Sequence, residues 1–592
     1  MFDTMNEIVK FSPFGGQLIL EEVKGTVSGK LNPENDVKVT VGGDRTMYSY
    51  IPASGCPHAK QSQVLMVLRN ESTKESAEAL MKELKLDQLA EERHFILLFP
   101  NPADTGWNYA QDPERDDDAA FLVRCFAALP RSKGKVAGFN GMIFYIGASP
   151  EASAMISTLA VTSPLDAAAI MIGAYPKNYV LPKDKGAEQT AWVYEDNPTA
   201  ENWLRKVNAP LAEEGSHYWK QTNPHVQFYL SHSGLNADTV KDAWEKMFSE
   251  TRRWRNDTFG IYQRRINFTE KGFTAHVNDT SLGDNNGMPH TWYEYIPERL
   301  RGTNQPVPLL FYFHGINCIA LYGAEQSSWV EIADRDGLIV VFPDPSIEER
   351  WNVWDDRRIP SDADYIMSLL DHMKQVHTID ESRIYLSGFS MGSMFTNAMA
   401  SLFPDVFAGG VACNGPDQGY LMTLDASVPG LKMFRPNTVT ASLTPSSETE
   451  SPAHRIIDEK KKEKDYRFPL VQFAGILDGV GLNPKKHFPM KSPDDGMWIG
   501  TVQFWVHYNH LHENPFFSEN TVSGLASDAC VKTGRYIDQS WCDADGNDLY
   551  HFVTVERMPH AVDLPEFELG WNIIRRYSRN RDGSLTREKE DA

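Results

Sequence analysis

The segment MYSYIP at residues 47–52 returns as WYEYIP at 292–297, an offset of 245. Four further landmarks follow in the same order. FILLFPNP at 95–102 answers LIVVFPDP at 338–345, and Trp107-Asn108 answers Trp351-Asn352. IFYIGAS at 143–149 answers IYLSGFS at 384–390, and HVQFYLSHSG at 225–234 answers LVQFAGILDG at 470–479, all with offsets between 240 and 245. Collinear matches at a nearly constant period mark a duplicated structural unit. The 592 residues therefore read as two copies of one domain, 1–270 and 271–592, each of a size common for a single α/β domain.

Within the second copy, PLLFYFHG, GLIVVFPDP, RIYLSGFS, VFAGGVACNG, FPLVQFAG and YHFVTVERM are short runs bounded by Gly, Pro or Asp. Their residues are apolar consecutively rather than alternately, which suits strands buried on both faces of a parallel sheet. Between them lie stretches of helical period, SSWVEIADRD, DADYIMSLLDHMKQVH and MGSMFTNAMASLF. Strands alternating with helices imply an α/β fold, here two tandem α/β domains, each a mostly parallel sheet flanked by helices. The stretch before the first YIP motif, LEEVKGTVSGKLNPENDVKVTVGG, alternates and turns, as antiparallel strands leading into the sheet would.

A net charge of −22 without a basic stripe argues against nucleic acid or an anionic membrane as partner. The one basic run, Lys460-Lys461-Lys462, is interleaved with Asp458, Glu459, Glu463 and Asp465 and reads as a solvated helix face. No window reaches the ~18 uninterrupted apolar residues of a membrane span. MFDTMNEIVKFSPFGG lacks the basic and apolar regions of an export signal, and the six Cys form no CxxC, so a cytoplasmic protein with free thiols is expected.

The chemistry concentrates in Gly388-Phe389-Ser390-Met391-Gly392, a G-x-S-x-G between a strand and a helix. That context forms a nucleophile elbow, which lifts the serine Oγ above the sheet and aims a helix N-terminus at the reacting carbonyl. Serine needs a base, and the base needs a carboxylate to orient it. His560 in VERMPHAVD and Asp478 in FAGILDGVG each follow a strand, giving the order Ser390, Asp478, His560, with Asp417 and Asp563 as fallback carboxylates. Two backbone amides should face the oxyanion: that of Met391, and that of Ile316 in Phe313-His314-Gly315-Ile316, where Gly315 permits unusual angles and His314 supports the loop.

These residues resemble the α/β-hydrolase esterases of the polyhydroxybutyrate depolymerase and feruloyl esterase type. The stretches that carry the likeness run over roughly 290–580: FYFHGIN, ADRDGLIVVFPDP, RWNVW, RIYLSGFSMGSMFTNAMASLFPDVFAGGVACNGP, TVQFWVHYN and DADGNDLYHFVTVERMPHAVDLPEFELGWNIIRRYSR. The resemblance puts the family's nucleophile, acid, base and oxyanion loop on Ser390, Asp478, His560 and His314-Gly315-Ile316. It implies a serine carboxylesterase acting on soluble hydroxycinnamoyl or hydroxyalkanoate esters. The chain departs from the family in the turn Gly475-Ile476-Leu477-Asp478 and in lacking the usual secretion signal. The triad alone leaves an acyltransferase, a peptidase or a non-catalytic binding protein open.

In the first copy the elbow reads Gly147-Ala148-Ser149-Pro150-Glu151, with Glu151 where a glycine is needed and Pro150 lacking an N–H. The offsets place Arg69-Asn70 opposite His314-Gly315, Ser233 opposite Asp478 and Thr274 opposite His560, with His276 close by. A non-catalytic first domain follows, a partner for self-association or for shaping the pocket. His507, His510 and His512 read as a helix running into a loop rather than a metal site, and GVGLNP lacks the pattern of a dinucleotide loop, so neither metal nor cofactor is expected. The polar 417–467 segment is a candidate lid. Trp351, Trp354, Phe389 and Trp498 flank the site in sequence and suit stacking on an aromatic acyl group.

Overall fold

Seven consecutive buried residues, VPLLFYF, form the strand Val307–Phe313, and the other apolar runs of the second copy likewise become strands covered on both faces. The computed structural model describes residues 3–11, 13–25, 44–132, 141–162, 166–181, 187–194, 196–282, 289–346, 350–352, 361–416, 460–478, 497–511 and 527–588. The chain divides into two units, Met1–Thr269 and Glu270–Ala592.

The first unit is built on a ten-stranded sheet: β1 (Leu18–Val23), β2 (Arg45–Tyr50), β3 (Val64–Leu68), β4 (Ile96–Pro100), β5 (Ile143–Gly147), β6 (Ala168–Met171), β7 (Ala191–Tyr194), β8 (Leu211–Glu214), β9 (His217–Lys220) and β10 (Asn223–Ser231). Their spatial order is β1-β2-β4-β3-β5-β6-β7-β10-β9-β8. The core of the sheet from β4 to β10 is parallel, and both edges are antiparallel.

The second unit's sheet comprises β11 (Phe273–Asp279), β12 (His290–Tyr295), β13 (Val307–Phe313), β14 (Ile339–Pro343), β15 (Ile379–Phe389), β16 (Gly409–Cys413), β17 (Leu470–Gly475), β18 (Ala529–Thr533), β19 (Tyr536–Cys542) and β20 (Asp548–Val555). Its order is β11-β12-β14-β13-β15-β16-β17-β20-β19-β18. Every strand of the second sheet thus takes the place of the strand ten earlier in the first, with the same parallel or antiparallel pairing. Two tandem α/β domains of one topology account for the repeat. The antiparallel lead-in expected before the first YIP motif is β1 against β2, and β11 against β12 is its counterpart.

The helices that matter for the site are α1 (Asp118–Ser132) and α2 (Pro150–Thr162) in the first unit, and α3 (Ala320–Gln326), α4 (Asp362–Val376), α5 (Met391–Leu402), α6 (Met497–Tyr508) and α7 (Leu564–Ile574) in the second. Helix α4 starts on Ser361, whose side chain accepts from the Asp364 N–H, and α7 starts on Asp563 in a capping box with Glu566. No described helix is long and apolar enough to cross a membrane.

Topology corrects one internal match. HVQFYLSHSG is β10, the counterpart of β20, whereas LVQFAGILDG contains β17, whose counterpart is β7. Both runs share a Val-Gln-Phe core, and consecutive apolar residues do not say which buried strand they form. The first unit's acid position therefore follows β7, near Asp196-Asn197, and its base position lies in the loop after β10, HSGLN at 232–236, which carries His232; Thr274 lies on β11 and is no counterpart of His560.

The basic run is also corrected. Lys461 is largely buried, and its ammonium donates to the carbonyls of Tyr466 and Tyr508 at 2.6 Å. Burial pushes its pKa down to about 8 against the pull of Asp465. The lysine thus ties its helix to the end of α6. Nearly all of the candidate lid, residues 417–459, lies outside the described residues, as do Asp417, Trp354, His512 and the GVGLNP loop.

Candidate active site

Ser390 stands between β15 and α5 with φ 55° and ψ −118°, a conformation a non-glycine residue adopts only when its surroundings impose it. Two contacts do so. Its N–H donates to the Cys413 carbonyl at the end of β16, and its carbonyl accepts from Met394 N–H inside α5. The flanking glycines leave no room for a side chain. A Cβ on Gly388 would lie 2.2 Å from the Gly392 carbonyl oxygen, and one on Gly392 would lie 2.0 Å from that of Phe313.

The structure brings the three residues together from three loops at the carboxyl ends of the central parallel strands β15, β17 and β20. His560, between β20 and α7, places Nε2 2.8 Å from Ser390 Oγ. Its Nδ1 lies 2.6 Å from Asp478 Oδ2, in the loop after β17. Asp478 is fully buried, Ser390 is 7% exposed, and the His560 side chain is 18% exposed, so the chain of hydrogen bonds starts in the interior and His560 is its most exposed member. The acid and base loops are stitched by Ile476 N–H to the Val555 carbonyl and Leu477 N–H to the Met558 carbonyl. The fallback Asp563 is engaged elsewhere: it pairs with Arg535 at 2.9 Å and accepts from the Tyr536 hydroxyl at 2.7 Å.

The 314–316 loop packs directly on the nucleophile. A Cβ on Gly315 would sit 3.2 Å from Ser390 Cβ and 3.3 Å from the Phe389 ring. Gly315 is thus required for closeness, not for an unusual φ; the left-handed residue of the loop is Asn317, at φ 56°. His314 is fully buried as a loop support, with Nδ1 2.7 Å from the Gly315 carbonyl and Nε2 3.2 Å from Asp344 Oδ1. Asp344 also accepts from Ala320 N–H, the start of α3. The Met391 amide opens α5, where first-turn N–H groups have no partner inside the helix.

The aromatic residues expected at the site divide. Trp351 is buried, stacked on Phe395 at 4.8 Å, and Trp498 is buried against Phe552, so both are packing rather than a stacking platform. Phe389 is 5.0 Å from the His560 ring and wedges between the base and the Gly315 loop. Away from the site, His510 Nε2 bonds Asp465 at 2.9 Å.

In the first unit Ser149 ends up differently. Its φ is not positive, its Oγ donates to Asn70 Oδ1 at 2.9 Å, and Asn70 Nδ2 donates to Glu151. That hydrogen bond to Asn70 helps hold the Glu151 carboxyl below its usual range. Asp196, near the acid position, accepts from Gly173 N–H.

Sequence comparisons bear on part of the second unit. Residues 295–419 match the esterase PHB depolymerase family. A bifunctional acetylxylan esterase/xylanase of Neocallimastix patriciarum is 33% identical over 123 residues, 21% of this chain and 17% of that protein. Feruloyl esterase B of Thermothelomyces thermophilus is 30% identical over 167 residues, 27% of this chain and 55% of the relative. Poly(3-hydroxyalkanoate) depolymerase C of Paucimonas lemoignei is 32% identical over 130 residues, 21% of this chain and 30% of that protein. The chain thus spans at most about half the length of these relatives.

Proposed function

We propose that the second unit is a serine carboxylesterase. The observation that carries this reading is the unbroken chain Ser390 Oγ, His560, Asp478 on a strained elbow. His560 Nε2 takes the hydroxyl proton as Oγ attacks the ester carbonyl, and the Asp478 carboxylate holds the imidazolium that forms. The Met391 and Ile316 amides stabilise the tetrahedral oxyanion, each such donor contributing about 10²–10³ in rate. His560 then returns the proton to the leaving alkoxide, giving an acyl-Ser390. Water, deprotonated by the same imidazole, adds to the acyl carbonyl and releases the acid.

Similarity to a feruloyl esterase, an acetylxylan esterase and a poly(3-hydroxyalkanoate) depolymerase supports carboxylic esters as substrates, and soluble esters of hydroxycinnamoyl or hydroxyalkanoate type are the proposed class. The first unit, with Ser149 committed to Asn70 and with Pro150 and Glu151 in its elbow, is read as a non-catalytic partner. Purified protein should hydrolyse p-nitrophenyl acetate or butyrate, and Ser390→Ala should abolish turnover; retained turnover in that variant would overturn the mechanism. Comparing kcat/KM for methyl ferulate with short 3-hydroxybutyrate oligomers assigns the acyl class.

A further inference from the structure

The residue after β16, Asn414, touches the loops of both the acid and the base. It is fully buried, with φ 53°. Its Oδ1 accepts from Gly475 N–H, three residues before Asp478, and its Nδ2 donates to the Ala561 carbonyl, the residue after His560, both at 2.5 Å. Its own N–H bonds the Phe473 carbonyl on β17, and the carbonyl of its neighbour Cys413 receives the Ser390 N–H. β20 is the second neighbour of β16 in the sheet, so the base loop must fold back over the end of β17 to meet this amide.

We propose that Asn414 is a positioning residue that clasps the Asp478 and His560 loops and sets the imidazole between carboxylate and serine. An amide is needed because one end must accept and the other donate. A left-handed backbone narrows the choice further, since Asn tolerates it better than other side chains. This inference rests on the esterase reading of Ser390.

The first unit supplies an independent observation. Gly388 pairs with Ala412 between β15 and β16, and Gly147 pairs with Met171 between β5 and β6. Two residues beyond those partners stand Asn414 and Gly173, and both have positive φ, 53° and 69°. The unit whose elbow serine is turned to Asn70 keeps the backbone turn and lacks the clasping side chain. Asn414→Gly is therefore a substitution this fold already accommodates.

The test compares the wild type with Asn414→Gly, Asn414→Asp and Asn509→Ala. Asn509 is an equally buried asparagine of the same unit, bonded to both backbone groups of Phe468 and outside the site, so it controls for simple loss of packing. Two readouts are used: the far-downfield proton resonance of the His560–Asp478 hydrogen bond, assigned by its loss in Asp478→Asn, and steady-state hydrolysis of p-nitrophenyl butyrate. Asn414→Gly should lose the resonance and about 30-fold or more in kcat with KM changed by less than about threefold, because misplacement near 1 Å costs ~10²-fold. Asn414→Asp, which keeps the acceptor but sets a carboxylate against the Ala561 carbonyl, should lose about tenfold or more in kcat and carries the test if Asn414→Gly does not fold. Asn509→Ala should melt lower with kcat retained. A resonance retained in the Asn414 variants overturns the clasp. A wild type that shows the resonance but turns over no ester overturns the esterase reading, while the clasp is still judged by the resonance.

Discussion

Trp351 donates its indole N–H to the main-chain carbonyl of His314 at 2.8 Å. The first unit repeats the bond: Trp107 donates to the Arg69 carbonyl at 3.0 Å. The following asparagine repeats as well, Asn352 N–H bonding Asp362 at the start of α4 and Asn108 N–H bonding Asp118 at the start of α1, both at 2.5 Å. In the second unit the bond fixes the loop that lies on Ser390. Trp351→Phe keeps an aromatic, if smaller, ring and removes the donor, so kcat for ester hydrolysis should fall about tenfold, a misplaced oxyanion donor being worth up to ~10²–10³. Trp107→Phe should lower the melting temperature and leave hydrolysis unchanged; equal kcat in both variants would show that the loop does not need its anchor.

Ser390→Ala and His560→Ala should each lower kcat by several orders of magnitude, and the double variant should lie close to either one, because the two side chains act as a unit. Steady-state kinetics on one p-nitrophenyl ester measures all three. Losses that multiply would separate the residues into independent roles.

Gly392→Ala would drive a methyl into the Phe313 carbonyl, with a Cβ only 2.0 Å from its oxygen. The expected cost is about 3 kcal/mol or more, since overpacking a tight backbone contact usually costs 1–3 kcal/mol. Urea unfolding should show it. In the first unit the corresponding Glu151 is partly exposed, and Glu151→Ala should cost less than about 1 kcal/mol.

His551 links stability to pH. Burial opposes its charge, but the hydrogen bond to Asp538 and the nearby Asp548 carboxylate win and raise its pKa to about 9 from 6.5. The folded state therefore holds this proton more tightly than the unfolded chain. The stabilisation is complete below pH 6.5, falls as pH rises through about 9, and amounts to roughly 3 kcal/mol in all. Urea midpoints at pH 6 and pH 10 should differ accordingly, and His551→Gln should flatten that difference; an unchanged slope would remove His551 from the account.

The sequence made the elbow, the order of the triad and the duplication legible, because each depends on local pattern: a glycine on either side of a serine, an apolar run, a turn. Edge strands such as β8 (LAEE) and β18 (ACVKT) carried no such mark, being polar or exposed along their length. Trp351 and Trp498 pointed to the substrate only by their neighbourhood in sequence, and packing claimed both. Asn414 left no trace, since its two partners lie 61 and 147 residues away and nothing local distinguishes it from a turn asparagine.

Glu151 also bears on the direction of change in the duplicated half. The close crossing that Gly392 allows over Phe313 is closed to a residue with a side chain, and Ser149 has settled into an ordinary backbone conformation facing Asn70. A histidine and an acid placed in the loops after β10 and β7, where His560 and Asp478 stand in the second unit, would restore the side-chain inventory of a triad without restoring the bend that presents a nucleophile. What distinguishes the first unit's elbow from the second's is held in its main chain, and substitutions at the acid and base positions alone would leave Ser149 facing Asn70.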